Sequence, residues 1–269
     1  MSKIKIYTFA HKRPDFIIYQ YESIVKNLTD DYEYIVFNNA QVSTDFELSK
    51  QIKKNCSDRN IKCIDIDKDY ELINEYDLAN KNRNFKVFHN DKYQTANIAC
   101  AYPLVWAQKH IFNSDDNHIC VIDSDMFFID KENLTTHIEK HDFMFIPFQT
   151  QHVYFPWNAI FLINKNCPNK NQINWWCGLY DGVPVDVGGL SAKYLIDNPS
   201  LKKGLIYRSC VQDDNSLDFH PSDYEYISLS DERYYSILHY RSGSNWNLRS
   251  QEYHLNKTKW LKEQISYVL

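Results

Sequence analysis

Asp123, Ser124 and Asp125 put two carboxylates one residue apart, between the apolar runs Ile119-Cys120-Val121-Ile122 and Met126-Phe127-Phe128. Alternate residues of an extended segment point the same way, so both carboxylates can share one target. Hard oxygen ligands of this kind suit Mg²⁺ or Mn²⁺ carrying a diphosphate. A surface turn also uses Asp and Ser, for their turn preference, but turns seldom sit between two apolar strands.

These residues need a sheet to hold them. The run 118–122 is apolar throughout, as in a parallel strand covered on both faces, and open α/β sheets bind ligands at the carboxyl ends of such strands. Residues 3–9 alternate and read as a first strand. Pro14 and Asp15 open an apolar-periodic helix over 16–28. Residues 32–38 read as a second strand, 44–55 as a helix behind a Ser/Thr/Asp cap, and 61–66 as a third strand. Residues 67–91 are polar, rich in Asn and Lys and without a clear period, and are expected to cover the sheet edge. A long helix over 93–112, bent near Pro103, leads into strand 118–122. This alternation predicts an α/β fold, a mainly parallel, doubly wound, Rossmann-like sheet flanked by helices. Beyond the aspartates, 143–147 and 157–164 are strand-like and 166–174 form a polar loop. A turn-rich aromatic stretch then reaches Gly189, 190–197 form a short helix and 234–240 a late strand. No repeat or linker divides the chain, so one domain over 1–269 is expected, in two lobes over 1–130 and 131–269. The amphipathic, part-basic run 257–269 predicts a terminal helix packed on the domain, with peripheral membrane contact as the alternative.

A formal net charge of −5 and a pI near 6.0 leave no basic field, which argues against nucleic acid as a partner. The seven cysteines are odd in number and include no Cys-x-x-Cys, so neither zinc nor a disulfide framework is indicated. Cys100 and Cys120, in apolar surroundings, read as buried, reduced thiols of a cytoplasmic protein. The opening residues run straight into a strand and no stretch is apolar enough to cross a bilayer, so neither a leader nor a transmembrane segment is expected. Aromatic residues make up 15% of the chain, with 20 Tyr and 6 Trp, more than a minimal core requires and compatible with sugar-stacking surfaces.

All six glycines, at 178, 182, 188, 189, 204 and 243, fall in the second half. A dinucleotide fingerprint or a P-loop needs glycines at the first strand-to-helix turn, where the backbone approaches phosphate. Here that turn reads Thr8-Phe9-Ala10-His11-Lys12-Arg13-Pro14-Asp15. A dehydrogenase and a P-loop kinase are therefore disfavoured, and a bound diphosphate would be neutralised by a metal instead.

In its order of strand–helix units, long helix and strand ending in Asp-x-Asp, the chain resembles the GT-A class of nucleotide-sugar glycosyltransferases. Trp157-Asn158-Ala159-Ile160-Phe161-Leu162-Ile163-Asn164 is similar to the Phe-Asn-Ala-Gly-(apolar)-Asn segment of family-8-like retaining transferases, without its glycine and one residue shorter. An ordinary buried strand flanked by asparagines is the other reading. His239-Tyr240-Arg241-Ser242-Gly243-Ser244-Asn245-Trp246 is similar to the His-(aromatic)-x-Gly-x-x-Lys-Pro-Trp segment of the same families. There the histidine is a third metal ligand and the glycine turn touches the diphosphate. The resemblance thus implies Asp123, Asp125 and His239 as ligands of Mn²⁺ or Mg²⁺, with Ser124, Gly243 and Asn245 on the donor. The Lys-Pro is absent, and Arg241 is the stand-in for its charge. The resemblance also implies a nucleotide-sugar donor, a UDP-sugar favoured, and a glycan, glycoprotein or glycolipid acceptor. The moved group would be a hexosyl or pentosyl unit, with the motif order leaning towards retention. Lobe 1–130 becomes the nucleotide-binding half and 131–269 the acceptor side with its C-terminal helix.

Donor recognition is expected at the ends of the first two strands. Thr8, Ala10 and Arg13 occupy the first turn, where Arg13 can fork onto phosphate or a base carbonyl or simply be a solvated charge beside Lys12. Asn38 and Asn39 end the second strand, where such enzymes place an Asp or Asn on the base edge. On the long helix Gln94, Asn97 and Tyr102 are candidates to face the sugar. On the acceptor side Trp157, Trp175, Trp176 and Tyr180 offer ring faces to a sugar, with core packing taking half or more of them. Trp157, Asn158 and Trp176 are the acceptor candidates, with Gly188 and Gly189. Asp186, between Val185 and Val187 and ahead of the two glycines, is the candidate catalytic carboxylate. Apolar neighbours would raise its pKa and the glycines would admit substrate to the backbone. It would deprotonate the acceptor hydroxyl in an inverting enzyme or stabilise an oxocarbenium-like centre in a retaining one. Asp181, Asp213, Asp214 and Asp223 compete for that role.

Three alternatives differ in their motifs. A sugar-nucleotide nucleotidyltransferase normally opens on a Gly-rich, Arg-Lys-containing loop, which is missing. A haloacid-dehalogenase-type phosphatase places Asp-x-Asp after its first strand and a Thr where Phe127 stands. A non-catalytic carbohydrate-binding protein with a degenerate site is the third.

Overall fold

The structure is a computed structural model that describes residues 3–40, 45–210, 224–230, 234–241 and 250–267. The chain opens with β1 (Ile4–Ala10), α1 (Pro14–Asn27), β2 (Tyr32–Asn38), α2 (Phe46–Ser57) and β3 (Lys62–Asp65). There follow α3 (Tyr70–Ala79), the short hairpin strands β4 (Phe88–His89) and β5 (Lys92–Tyr93), and α4 (Ala96–His110). Next come β6 (His118–Ile122), β7 (Met126–Phe128), α5 (Leu134–Ile138), β8 (Phe143–Thr150) and β9 (Val153–Ile163). The remainder is β10 (Gly178–Tyr180), β11 (Val183–Val185), α6 (Ala192–Asp197), β12 (Lys203–Leu205), β13 (Tyr207–Cys210), β14 (Glu225–Ser228), β15 (Ile237–His239) and α7 (Gln251–Tyr267).

Among the described residues the main sheet has seven strands in the order β12-β8-β9-β6-β1-β2-β3. Only β9 runs against the others, so the sheet is mainly parallel as expected. Alternation along the strands divides two cores. Ile4, Ile6, Ala10, Val36, Cys120 and Ile122 face α1 and α2, while Tyr7, Ile35, Phe37, Ile119 and Val121 face α3 and α4. Each layer removes a wide apolar area from water, which is what holds an α/β sandwich together.

Register decides where the strands stop. Ala10 pairs with Asn38 and Tyr7 with Val121, so β1, β2 and β6 all end at one sheet edge, and Asp123 begins there. The four-stranded antiparallel sheet β13-β14-β15-β7 lies beyond that edge and places His239 opposite Met126.

Two expectations about elements change. Residues 67–91 are not a periodless cover: Asp69 caps α3 by accepting from the amides of Glu71 and Leu72, and Leu72, Ile73 and Tyr76 bury themselves. The long helix begins at Ala96, not 93, because Thr95 caps it through the Ile98 amide while Lys92 and Tyr93 belong to β5. The C-terminal helix packs on the domain: Leu261 is buried with Phe16, Phe127 and Tyr240. No described helix is long and apolar enough to cross a membrane.

Candidate functional site

The aspartate turn is held from behind by helix α1. Gln20 is fully buried and its Nε2 donates to the carbonyls of Asp123 (2.7 Å) and Met126 (2.8 Å). Its Oε1 accepts from the Tyr34 hydroxyl at 2.8 Å, which fixes the amide's orientation. One turn along, Ser23 Oγ accepts from the Phe128 amide and Asn27 Nδ2 donates to the Phe128 carbonyl. Gln20, Ser23 and Asn27, spaced three and four apart, thus form a polar stripe on one helix face. They satisfy the free edge of β7, whose groups would otherwise lie buried without partners. In front, the Tyr240 amide donates to the Asp125 carbonyl at 2.8 Å and the Asp123 amide to the Ala159 carbonyl at 2.8 Å.

From this frame Asp123, Asp125 and His239 each turn one ligand atom to a common point, all within 4.8 Å of one another. His239 Nδ1 lies 3.1 Å from Glu225 Oε2, which leaves Nε2 facing Asp125 Oδ1 at 3.4 Å. Glu225 is buried and lies 3.5 Å from both Arg208 and Arg241. Burial would hold this carboxyl up, but His239 and the two arginines lower it. The ordering of a metal-binding histidine by a carboxylate on its other nitrogen is a general feature of such centres. Burial, then the charge of Asp125, push the Asp123 carboxyl up to about 8, with His239 opposing. Burial would lower the His239 pKa, yet the charge of Asp125 and the bonds to Asp125 and Glu225 raise it to about 9. Two carboxylates and one imidazole within reach of a single ion are a donor set that fits a hard divalent cation.

The ligands open on a cleft of about 320 Å³, within the range of small-molecule sites. Ser124, Trp157, Asn158 and Arg241, all candidates from the sequence, are among its lining residues. Trp157 lies with its ring 5.8 Å from that of His239 and 5.1 Å from the Arg208 guanidinium. The opposite wall is Phe9, His11, Asn39, Ala96 and Cys100. Phe9 stacks on Phe37 at 4.9 Å. Asn39 accepts from Tyr93 and donates to the Ala99 carbonyl. Burial, aided by Lys12, lowers the His11 pKa to about 4, so its ring is neutral.

Several expected contacts fall elsewhere. Thr8 and Ala10 are fully buried on the α1 face, with Ile4 and Ile6, because alternation turns them away from the cleft. Asn38 is on the same face and donates to Ser49 and Asp65, tying β2 to α2 and β3. Arg13 forks onto Asp15, reaches Thr258 of α7 and lies 3.6 Å over Phe16, so it joins two helices rather than greeting a phosphate. Tyr102 is buried, donating to the Asp67 carbonyl and accepting from the Asp69 amide. Asn97 lines a neighbouring cleft. Trp176 is core, 4.3 Å from Tyr76, and Trp175 stacks on Phe161 at 4.1 Å while donating to Gln108.

Gly188 and Gly189 are buried close-approach points, not a substrate platform. A Cβ on Gly188, at φ +84°, would lie 2.4 Å from the Pro156 carbonyl oxygen, and one on Gly189 2.3 Å from the Val185 Cβ. Asp186 is exposed: Val185 and Val187 bury themselves while the carboxylate, bonded to the Val187 amide at 2.8 Å, stands out. The apolar enclosure expected around it is therefore absent. Its charge is nonetheless felt by Cys100, together with those of Asp123 and Asp125, so Asp186 lies near the cleft wall. Cys120 is buried as expected, but Cys100 is exposed on that wall, its thiol held above the usual range by the protein around it and then by these carboxylates. Gly243, Asn245, Asp213, Asp214 and Asp223 lie outside the described residues.

No protein-family model matches the chain, and no curated protein matches its sequence. Among solved structures, the chain is similar to PaToxG glycosyltransferase at 13% identity and a TM-score of 0.44, covering 73% of this chain and 69% of that one. It is also similar to S. aureus TarS 1–349 at 15% identity and a TM-score of 0.38, covering 65% of this chain and 50% of that one.

Proposed function

We propose that the chain is a metal-dependent glycosyltransferase of GT-A type, moving a sugar from a nucleoside-diphosphate sugar, a UDP-sugar in the first instance, to a hydroxyl of a glycan-type acceptor. The observation that carries this reading is the convergence of Asp123, Asp125 and His239 at the carboxyl edge of a mainly parallel sheet, facing a cleft. Mn²⁺ or Mg²⁺ held there would neutralise the diphosphate and stabilise the departing nucleoside diphosphate. The chain's own residues do the rest. Glu225 aims His239 Nε2, Gln20 fixes the aspartate turn, and Arg241 brings a guanidinium to the phosphate side. Phe9 offers a ring face to the base, with Asn39 and neutral His11 at its edges, while Gly243 and Asn245 are proposed donor contacts. Trp157 and Asn158 face the transferred sugar. Asp186, exposed near the cleft wall, either takes the proton of the acceptor hydroxyl or stabilises charge at the reacting carbon.

The test is a Mn²⁺-dependent hydrolysis screen over UDP-, GDP-, ADP-, CDP- and dTDP-sugars. Turnover of at least one that stops with EDTA is expected, and Asp186→Asn should lower turnover while nucleotide binding persists. Hydrolysis of none, or equal rates with EDTA, would remove the reading.

Metal uptake should also depend on pH in a defined direction. Without metal, Asp123 and His239 both hold protons at pH 7, because their pKa values are raised to about 8 and about 9. Both must release them to ligate. The apparent Mn²⁺ affinity should therefore rise with pH from 6 to 8.5, by about tenfold per pH unit for each proton released. Calorimetry in two buffers of different ionisation enthalpy counts those protons, and pH-independent affinity without proton release would contradict the assignment.

A further inference from the structure

A second cleft, also of about 320 Å³, opens beside the first. The first turns of α4 form the shared wall: Thr95, Asn97 and Ile98 line the second cleft, while Ala96, Ala99 and Cys100 line the metal cleft. Its floor is apolar, with Tyr76, Cys177 and Val185 buried, and Phe85 stands exposed at the rim.

Its polar lining is cationic at one end. Arg83 is half-buried in the wall, and its guanidinium makes no hydrogen bond or ion pair with any described residue. It belongs to Lys81-Asn82-Arg83-Asn84-Phe85-Lys86, which carries three cations and no acid in a chain of net charge −5. Lys81 and Lys86 are exposed and likewise without ion pairs among the described residues. The nearby carboxylate of Asp77 is engaged by the Val87 amide at 2.8 Å. The remaining lining is uncharged: Asn80, Thr95, Asn97 and Gly178 with the apolar floor. A half-buried guanidinium without a partner gains most from a forked anion. A ligand is thereby oriented, with its charged group at Arg83 and its neutral hydroxyls along the uncharged lining.

We infer that this second cleft takes the acceptor, and that the acceptor is an anionic glycoside whose carboxylate or phosphate sits on Arg83 and whose ring lies against Phe85. The hydroxyl's part in transfer rests on the transferase reading above, whereas the binding itself does not.

Binding of three probes by calorimetry tests this: 4-nitrophenyl β-D-glucuronide, 4-nitrophenyl 6-phospho-β-D-glucoside and the neutral 4-nitrophenyl β-D-glucoside. At least one anionic probe should bind about tenfold or more tightly than the neutral one, and which of them does so separates carboxylate from phosphate. Arg83→Gln should erase the preference, Arg83→Lys should keep part of it, and both should leave the melting temperature and Mn²⁺ binding unchanged. Equal or no binding of all three probes, or a preference that survives Arg83→Gln, would overturn the inference. Preference for an anionic probe without any metal-dependent nucleotide binding would sink the transferase reading and leave this cleft assigned. The opposite pattern would sink the cleft assignment alone.

Discussion

Asp125→Asn should weaken Mn²⁺ binding by more than about a hundredfold and abolish metal-dependent nucleotide binding, without unfolding the protein. Changes even to residues behind metal ligands cost about 10- to 100-fold in affinity, and Asp125 is itself one of the converging groups. The fold should survive because Asp125 sits beside Asp123 in a partly buried pair, where burial and then the Asp125 charge already hold the Asp123 carboxyl up to about 8. Removing one charge relieves their mutual repulsion, though it also weakens the contact with His239. His239→Ala should lose metal affinity to a similar extent. An Asp125→Asn protein that binds manganese as the parent does would rule out the centre, and a His239→Ala protein that does so would rule out the third ligand. Titration of both variants with Mn²⁺, beside their melting curves, makes the comparison.

The largest effect on the fold should come from a residue that touches no ligand. Gln20→Leu removes the donor to the carbonyls of Asp123 and Met126 and leaves the Tyr34 hydroxyl without its acceptor, all in a closed interior. Buried polar groups stripped of partners cost about 1–3 kcal/mol each, so a loss of roughly 3–4 kcal/mol is expected. For a chain of this size that lowers the melting temperature by on the order of 6–15 °C. Tyr34→Phe, which removes one hydrogen bond and leaves both carbonyls satisfied, should cost only about 1 kcal/mol. Metal affinity should fall in Gln20→Leu even at temperatures where it is folded, since the turn carrying both aspartates loses its anchor. Equal melting temperatures for Gln20→Leu and Tyr34→Phe would show that the turn does not depend on this helix.

Much of this was legible from local pattern. The apolar run of β6 and the alternation of β1 and β2 placed the parallel strands, and Asp123 and Asp125 were readable from the strand end, whereas His239 joined them only through the resemblance of its segment to a family pattern. Part of the cleft wall was misread for a reason the sequence also contains. Ile4 and Ile6 point to α1, so Thr8, Ala10 and, across the sheet, Asn38 must follow them; the cleft receives Phe9, His11 and Asn39. Alternation already held that answer. Trp176, Gly188 and Gly189 were beyond local pattern, since their burial depends on α3 and β9, far away in sequence. Gln20 was missed because a glutamine in an amphipathic helix looks like solvent-facing punctuation. Only the spacing of Gln20, Ser23 and Asn27 within an otherwise apolar stripe hinted that the helix carries a polar seam. Arg13 was ambiguous by nature: a guanidinium serves Asp15 and Phe16 as well as it would a phosphate, and only the fold decides.

The paired aspartates and the histidine stand at the centre of the account, and one calorimetric experiment addresses them most directly. UDP, GDP, ADP, CDP and dTDP are each titrated into the protein with Mn²⁺ and again with EDTA. At least one nucleotide should bind about tenfold or more tightly with the metal. Binding of none of the five, or binding that is the same with EDTA, would contradict the claim that Asp123, Asp125 and His239 form a nucleotide-carrying metal centre.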